Sequence, residues 1–318
     1  MVKDYKIAVV SSTALPSPPV SYGGLEYVAY LRALALHQLG YDVTLFAVPN
    51  PTVDYPFDIV ELSPGPEEKI DKNDLKGFDK IIDETHKKVA GGTCIYHDFL
   101  PALGNCDKHI AISIYHKYSL ESIYGRFFDF VYDPVDTSWL SPMKKEPLVA
   151  WYGRINKGAN EFLRFLKTHV KADVVVIGDD SMEKIDTKLV EEMNAAYYGL
   201  VHDRKEVGKI LGKAAAVVSA FHPLYREAFG MWAVEAVAAG ALPLAPQEAT
   251  YEIVKYMLKR KGKHYLLSNF KPDYITIEDL LTKAIAYAEV GYKIVNEKDA
   301  SLFNPVDITR VFLHSLVS

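Results

Sequence analysis

The sequence predicts an α/β protein built from two doubly wound domains that face each other across a cleft. Short apolar runs alternate with longer runs of helical spacing, which is typical of βαβ units around a parallel sheet. The alternation occurs in two series, and a proline-rich segment, Asp133–Leu148, divides them. The length of 318 residues agrees with two domains, because one domain holds on the order of 150 residues.

The two series predict the following elements. The first begins with a strand at Lys6–Val10 and a helix at Leu25–Leu39, and it continues with strands at Val43–Phe46, Phe57–Leu62, Cys94–Tyr96, His109–Ile114 and Phe128–Tyr132. The second has strands at Leu148–Tyr152, Val174–Ile177, Ala195–Leu200, Ala215–Ser219 and Ala241–Leu244, and helices at Glu161–Lys167, Glu183–Met193, Lys205–Gly212 and Met231–Ala239. We expect domains over residues 1–140 and 141–304, followed by a helix within 305–318.

Composition and charge exclude several classes of protein. With 49% hydrophobic and 24% charged residues, the chain has the balance of a globular protein rather than a disordered or fibrous one. The net charge of -5 supplies no field that would attract a polyanion, so nucleic acid is not an expected partner. No apolar run reaches the roughly 18 to 20 residues that a membrane-spanning helix needs.

The cysteine content indicates an intracellular protein. Cys94 and Cys106 are the only two cysteines, and secreted folds of this length seldom rely on so few. The N-terminal residues resemble neither a signal peptide nor a transit peptide. We therefore expect two buried or inert thiols, no disulfide and a cytoplasmic location.

The first candidate site is the segment His222–Pro246, in which two glutamates flank a turn that contains glycine. Glu227 and Glu235 stand eight positions apart, and Gly230 precedes an almost wholly apolar helix. A helix that starts at a glycine offers N–H groups and a positive dipole end to an anionic or hydroxyl-rich ligand. A carboxylate among alanines and valines also needs hydrogen-bond donors, which sugar hydroxyls would supply. From the residues alone, it is equally plausible that both glutamates are structural.

This segment resembles the donor-binding motif of glycosyltransferase family 4, a family of retaining enzymes that use nucleotide sugars and have the GT-B fold. The residues that match the motif in register are Glu227, Phe229, Gly230, Glu235, Ala236 and Gly240. The resemblance implies that Glu227 holds the donor sugar, together with the backbone amides beside it. Those amides include Phe229, Gly230 and Met231. It also implies that Glu235 holds the ribose of the nucleotide.

A second candidate is the loop after the predicted strand Leu148–Tyr152, which carries Arg154 and Lys157. Two cations at the carboxyl end of a strand suit a diphosphate, whose negative charge grows as it leaves. From the residues alone, such a pair is more often an exposed basic turn. The resemblance to family 4 implies that this arginine and lysine hold the donor diphosphate.

Two weaker candidates lie in the first series. Gly23 and Gly24 precede the helix Leu25–Leu39, where glycines let backbone amides approach a phosphate, although such a pair is most often a turn. His97 follows a strand, with Asp98 as its orienting partner or as an acceptor contact, but a lone histidine is more often structural than catalytic. The resemblance implies that Gly23 and Gly24 face the donor phosphates, and that His97 lies near the reacting sugar.

Other motifs bear on cofactors and partners. The sequence has no Asp-x-Asp triplet and no zinc-type spacing of Cys and His, so we expect neither a metal nor another cofactor. It lacks Gly-x-Gly-x-x-Gly, which argues against a nicotinamide cofactor. Contacts to the base are expected from the loops around Gly178 and Tyr198–His202. The basic run Lys255–Lys263 suits a solvated helix end better than a weak contact with an anionic membrane surface.

Taken with the resemblance, the sequence predicts a GT-B enzyme that transfers a sugar from a nucleotide-diphosphate sugar with retention of anomeric configuration. The acceptor is a sugar, a lipid-linked molecule or a small molecule, and no metal takes part. The resemblance also implies that the last helix, near Pro305–Leu316, packs back on the first domain. Two alternatives stay open: a non-catalytic nucleotide-sugar-binding protein and a nucleotide-sugar epimerase.

Overall fold

The computed structural model describes residues 3–20, 23–65, 70, 73–222, 225–261, 273–292 and 295–317. The chain forms two compact units: unit 1 is Met1–Asp136 with Phe303–Ser318, and unit 2 is Thr137–Leu302. The corresponding sequence-based boundaries are after residues 140 and 304. The change of unit after Asp136 falls in the proline-rich segment, which has no helix or strand between residues 134 and 147.

Unit 1 is a parallel sheet with helices around it. Its elements are β1 (Lys3–Val10), α1 (Gly24–Gln38), β2 (Tyr41–Ala47), β3 (Asp58–Glu61), β4 (Lys80–Asp83), β5 (Thr93–Tyr96), β6 (Lys108–Ala111), α2 (Ile114–Tyr124) and β7 (Asp129–Phe130). The strand order is β3-β2-β1-β4-β5-β6-β7, and every neighbouring pair is parallel. Ala8, Val9 and Ile95 on inner strands are completely buried, which explains the continuous apolar runs.

Unit 2 repeats this plan with fewer strands. Its elements are β8 (Leu148–Tyr152), α3 (Ala159–His169), β9 (Asp173–Ile177), α4 (Thr187–Glu192), β10 (Ala196–Gly199), α5 (Arg204–Lys213), β11 (Ala216–Val218), α6 (Met231–Ala238), β12 (Leu242–Leu244), α7 (Glu248–Lys261) and α8 (Tyr274–Glu289). The strand order is β10-β9-β8-β11-β12, again with parallel neighbours. The fully buried Trp151 on β8 packs against Phe162 on α3, with ring centres 5.8 Å apart.

Both sheets are doubly wound. In each, the strands proceed outward to one side of the first strand and then reverse to the other side, between β1 and β4 in unit 1 and between β8 and β11 in unit 2. Open sheets of this kind bind ligands beyond the carboxyl ends of the strands at the reversal. The predicted α/β class with two Rossmann-like domains is therefore confirmed, and the reversals show where a site is expected.

Some elements differ from the prediction. Strand β4 is not among the predicted strands, because only two apolar residues, Ile81 and Ile82, stand between charged neighbours there. The predicted strand His109–Ile114 is too long, since Ser113 ends it by capping α2: its hydroxyl accepts a hydrogen bond from the His116 N–H at 3.0 Å. The helices α2, α7 and α8 are additional to the prediction.

The last helix, α9 (Pro305–Val317), belongs to unit 1 and packs against α1. Phe312 on α9 is fully buried, and the guanidinium carbon of Arg32 on α1 lies 4.9 Å from the centre of its ring. The Val135 N–H donates to the Phe303 carbonyl at 2.9 Å. The chain thus leaves unit 1 after Asp136 and returns at Phe303 to complete its core.

Two features bear on the cellular compartment. Cys94 on β5 and Cys106, just before β6, form a disulfide, so the expectation of two free thiols is wrong. The number of cysteines does not show that β5 and β6 pair in parallel. This pairing brings Cys94 and Cys106, which are 12 positions apart, to a Cα separation of 5.9 Å. The cysteines therefore no longer support a reducing compartment. In the part of the chain that the structure describes, no helix is both long and apolar enough to cross a bilayer.

We expect the Cys94–Cys106 disulfide to stabilise the folded protein by about 2 to 4 kcal/mol, because it restricts the unfolded chain. Replacing both cysteines with alanine should lower the free energy of unfolding by that amount, as measured by urea denaturation. Reductant should lower the free energy of unfolding of the wild type by a similar amount. It should leave the free energy of unfolding of the double variant unchanged. A wild type whose unfolding is insensitive to reductant would show that the bond does not form.

Candidate functional site

The predicted site of unit 2 lies on the loops that follow β8 and β11, where the strand order reverses. Gly153 follows β8, and a Cβ atom placed on it would lie 2.5 Å from the hydroxyl oxygen of Ser219, which follows β11. Gly158 has φ of 107°, and a Cβ there would lie 2.3 Å from the His222 backbone nitrogen. Only glycine at these positions lets the two loops approach so closely.

A buried ion pair joins the two loops. The Lys157 ammonium donates to Oε1 of Glu227, and both side chains are 8% exposed. The indole Nε1–H of Trp232 donates to the other oxygen, Oε2, at 2.7 Å. A buried charge is costly without partners, and here both carboxylate oxygens of Glu227 have one. The pair thus brings together two residues that the sequence places 70 positions apart.

Arg154 lies beside this pair and is connected to it by Tyr225. Its Nη2 donates to the Tyr225 hydroxyl at 3.3 Å, and its Nη1 lies 3.5 Å from Sδ of Met182. The ammonium nitrogen of Lys157 lies 5.2 Å from the centre of the Tyr225 ring. Arg154, Lys157 and Glu227 therefore form one cluster, with two cations and one carboxylate. We name these three residues the charged cluster.

Helix α6 begins beside the charged cluster. Gly230 is its N-cap and contributes no side chain, so the first turn presents backbone N–H groups and the positive end of the helix dipole. A Cβ atom at Gly230 would lie 2.6 Å from Nε1 of Trp232 and 3.1 Å from Oε2 of Glu227. The bond between Trp232 and Glu227 therefore requires glycine at position 230.

The other end of α6 is held by Lys145. Its ammonium donates to the carbonyl oxygens of Ala239 at 2.6 Å and of Gly212 at 2.7 Å, at the ends of α6 and α5. Burial lowers the pKa of Lys145 to about 7, an effect that Glu297 partly offsets. Gly240, with φ of 77°, ends the helix as its sequence predicts. Helix α6 is thus fixed at both ends.

The remaining predicted residues of unit 2 lie around the same helix and the neighbouring loop. Phe229 and Glu235 are buried, at 8% and 6% exposure, and Met231 is the half-buried first residue of α6. A Cβ at Gly178 would lie 1.9 Å from the Gly153 carbonyl oxygen, so glycine is needed there for packing alone. The assigned roles of these residues in binding sugar, ribose and base stay predictions.

In unit 1, His97 belongs to a buried network of four charged residues. Its Nε2 lies 2.7 Å from Oε2 of Glu84, and its Nδ1 lies 3.5 Å from Oδ2 of Asp133. Arg32 completes the network with Nε 2.5 Å from Oε1 of Glu84 and Nη2 3.6 Å from Oδ1 of Asp133. The four residues, which we name the His97 network, come from α1 and from the segments after β4, β5 and β7.

The partners within the His97 network shift the pKa values of Glu84 and His97 toward their charged forms. Burial raises the pKa of Glu84, but Arg32 and His97 lower it to about 2. Burial lowers the pKa of His97, but Asp133 and Glu84 raise it to about 9. His97 is therefore an imidazolium at neutral pH. With a carboxylate at each ring nitrogen it has no lone pair to accept a proton, so it acts here as a cation and not as a base.

The orienting partner predicted for His97 is wrong. The Asp98 carboxylate instead accepts from His86 at 3.0 Å in an exposed pair, and His97 lies against the carboxylates of Glu84 and Asp133. The sequence did not reveal this, because Glu84 follows β4, a strand that its pattern does not predict. A predicted catalytic role for His97 stays a prediction.

The glycine pair of unit 1 lies where α1 begins. Gly24 is the first residue of α1, and Gly23 is its N-cap without a side-chain hydrogen bond. A Cβ at Gly23 would lie 2.9 Å from Cβ of Pro19, so close packing alone accounts for glycine there. Contact of Gly23 and Gly24 with a phosphate stays a prediction.

Sequence reasoning missed Tyr225 and Trp232. Tyr225 lies in a loop without periodicity, and Trp232 belongs to a helix whose apolar composition indicates only burial.

In the basic run Lys255–Lys263, the ammonium nitrogen of Lys255 lies 5.2 Å from the centre of the Tyr251 ring. The other basic side chains of that run lie outside the described residues.

We expect the His97 network to make stability depend on pH on the alkaline side. The folded pKa of His97, about 9, exceeds its ordinary value of 6.5. Its contribution is therefore fully present below pH 6.5 and is lost as pH rises through 9. The free energy of unfolding should fall in this window by at most about 1.4 kcal/mol per pH unit, as measured by urea denaturation.

His97→Gln should remove this part of the pH dependence. His86→Gln, which changes only the exposed pair with Asp98, is the matched control and should keep the wild-type slope. The same slope in the wild type and in His97→Gln would mean that the network does not hold an imidazolium.

Comparison with known proteins identifies the fold. No protein-family model and no curated protein matches the chain. AviGT4, a glycosyltransferase of avilamycin A biosynthesis, matches with a TM-score of 0.70 and 16% identity over 98% of this chain and 97% of that chain. Sucrose-phosphate synthase from Thermosynechococcus elongatus matches with a TM-score of 0.60 and 15% identity over 98% and 99%. The catalytic domain of starch synthase IV from Arabidopsis thaliana, bound to ADP and acarbose, matches with a TM-score of 0.61 and 11% identity over 99% of each chain.

At such identities the likeness shows the fold alone. The chain has the GT-B fold of glycosyltransferase structures, with two Rossmann-like domains, and this expectation is confirmed. Membership of family 4 stays a prediction.

Proposed function

We propose that this protein is a retaining glycosyltransferase that moves a sugar from a nucleotide-diphosphate sugar to an acceptor hydroxyl without a metal ion. The observation that carries the proposal is the charged cluster at the N-terminus of α6, on the edge of the sheet where the strand order reverses. Arg154 and Lys157 place two cations in this cluster. Two cations beside the positive end of a helix suit a diphosphate.

In this proposal Arg154 and Lys157 bind the diphosphate of the donor. The leaving oxygen gains negative charge as its bond to the sugar breaks, and the two cations and the α6 dipole stabilise that charge. An ammonium has three N–H donors, so the bond of Lys157 to Glu227 is compatible with a second bond to a phosphate. The sequence has no Asp-x-Asp triplet, which favours a reaction without a bridging metal.

Glu227 accepts hydrogen bonds from hydroxyls of the donor sugar, beside the backbone amides that start α6, and Glu235 accepts from the ribose. Because both oxygens of Glu227 are already held, it is suited to orienting the sugar rather than attacking it. Retention then follows from attack of the acceptor oxygen on the face from which the diphosphate leaves. A phosphate oxygen takes the proton of the acceptor hydroxyl as the new glycosidic bond forms.

The partners follow from this reaction. The donor is a nucleotide sugar, and the ADP bound in the starch synthase structure supports a nucleoside diphosphate in such a fold. Gly178 is proposed to line the base, Gly23 and Gly24 to face the phosphates, and His97 to serve as a fixed cation near the sugar. The acceptor is a sugar, a lipid-linked molecule or a small molecule.

The experiment that tests the proposal is a screen of ADP, GDP and UDP and their glucose conjugates. Thermal unfolding detects binding, because a ligand that binds the folded form raises the midpoint. We expect one base to raise it, and its conjugate to release the nucleoside diphosphate when sugar or lipid-linked acceptors are added. Binding without release would favour the non-catalytic protein, and a changed sugar without an acceptor would favour the epimerase.

Arg154→Ala should lower kcat by about 100-fold, because it removes a cation from the leaving diphosphate. The free energy of unfolding should change by no more than about 1 kcal/mol, because Arg154 is only partly buried. Arg164→Ala on α3, which breaks an exposed pair with Asp186, is the control and should keep full activity. Wild-type turnover in a folded Arg154→Ala would remove the assigned role.

A further inference from the structure

We propose that Trp232 is a positioning residue that fixes the carboxylate of Glu227 in the orientation that reads the donor sugar. This inference rests on the proposed function. It adds Trp232 as a residue that acts through Glu227 and not by contact with a reacting atom. Trp232 lies in the first turn of α6 and is 5% exposed. Its indole N–H points at Oε2 of Glu227 over 2.7 Å.

The bond from Trp232 is what distinguishes the two oxygens of Glu227. A carboxylate beside a single ammonium can rotate so that either or both oxygens face the cation. Here Lys157 holds Oε1 and Trp232 holds Oε2, so each oxygen of the carboxylate has its own donor. Indole has one N–H donor and no acceptor, so it can serve only the carboxylate, and its direction is fixed by the buried ring. The plane of the Glu227 carboxylate is therefore defined before a ligand arrives.

Gly230 belongs to the same arrangement. A Cβ at position 230 would lie 2.6 Å from Nε1 of Trp232 and 3.1 Å from Oε2 of Glu227, so any larger residue displaces one of the two bonded groups. The backbone of Gly230 has φ of -97° and ψ of 92°, which other residues adopt without strain. Glycine is thus required here to let the indole reach the carboxylate, and not for the course of the chain.

The fixed orientation has a consequence for the donor. An ionised carboxylate has about four lone-pair positions, and Lys157 and Trp232 engage one on each oxygen. The positions that remain have fixed directions, so they accept hydroxyls only from a sugar whose hydroxyls are placed to match. Loss of the indole N–H frees the carboxylate to turn toward Lys157. Recognition of the sugar then weakens, whereas the diphosphate keeps both cations.

The test compares donor use with binding of the nucleoside diphosphate in Trp232→Phe, which keeps the aromatic ring and removes the N–H. The donor is the glucose conjugate of ADP, GDP or UDP that the wild type uses, and the matching diphosphate is measured as a competitive inhibitor. We expect kcat/KM for the donor to fall by about 10- to 100-fold, the range for a hydrogen bond to a charged group. The inhibition constant of the diphosphate should stay at the wild-type value.

Two further variants keep the test decisive. Gly230→Ala displaces the same bond by another route and should reproduce the loss of donor use, even if Trp232→Phe lowers the unfolding midpoint. Trp139→Phe makes the same substitution in unit 2 at a tryptophan that stacks on Arg204, with 5.5 Å between the guanidinium carbon and the ring centre, and should behave as the wild type.

The outcomes separate the two proposals. Equal losses for donor and diphosphate in Trp232→Phe, or no loss at all, would overturn the positioning role and leave the proposed function standing. A wild type that neither binds any of the three diphosphates nor consumes their conjugates would overturn the proposed function and the inference together.

Discussion

The buried pair between Lys157 and Glu227 is the interaction on which the geometry of unit 2 depends. It connects the loops after β8 and β11, and it does so out of contact with most of the solvent, where breaking one partner leaves an uncompensated charge. Three glycines next to it, Gly153, Gly158 and Gly230, stand where a Cβ would collide with the opposite loop or with the bonded groups. The local sequence is therefore shaped by the need to bring this pair together.

The two units use the same edge of a doubly wound sheet for different electrostatic purposes. The His97 network of unit 1 has two cations and two carboxylates, which are held together by ion pairs among these four residues. The charged cluster of unit 2 places the cations Arg154 and Lys157 beside the positive end of α6, which suits an anion. This difference, and not the shared fold, is what directs the functional proposal to unit 2, since one fold supports many functions.

The sequence predicts features that follow from the order of residues along the chain, such as strands and motifs. It does not predict features that depend on side-chain direction or on which strands pair. Arg154 and Glu227 could be singled out by their resemblance to a family motif, and the structure places both in one cluster, because parallel strands end at one edge of the sheet. Trp232 could not, since only its side-chain direction distinguishes a hydrogen-bond donor from an ordinary core residue. Cys94 and Cys106 were misread for the same reason: the pairing of β5 with β6, and not the number of cysteines, brings their sulfur atoms together.

The most direct test of the account is calorimetric binding of one nucleoside diphosphate and its glucose conjugate to the wild type and to Glu227→Ala. If Glu227 reads the sugar while Arg154 and the α6 N-terminus hold the diphosphate, the variant should keep the affinity for the diphosphate. It should lose the additional affinity that the wild type has for the glucose conjugate relative to the diphosphate. Equal weakening of the diphosphate and of its conjugate would contradict the central claim, because the pair would then support the fold and not the recognition of a sugar.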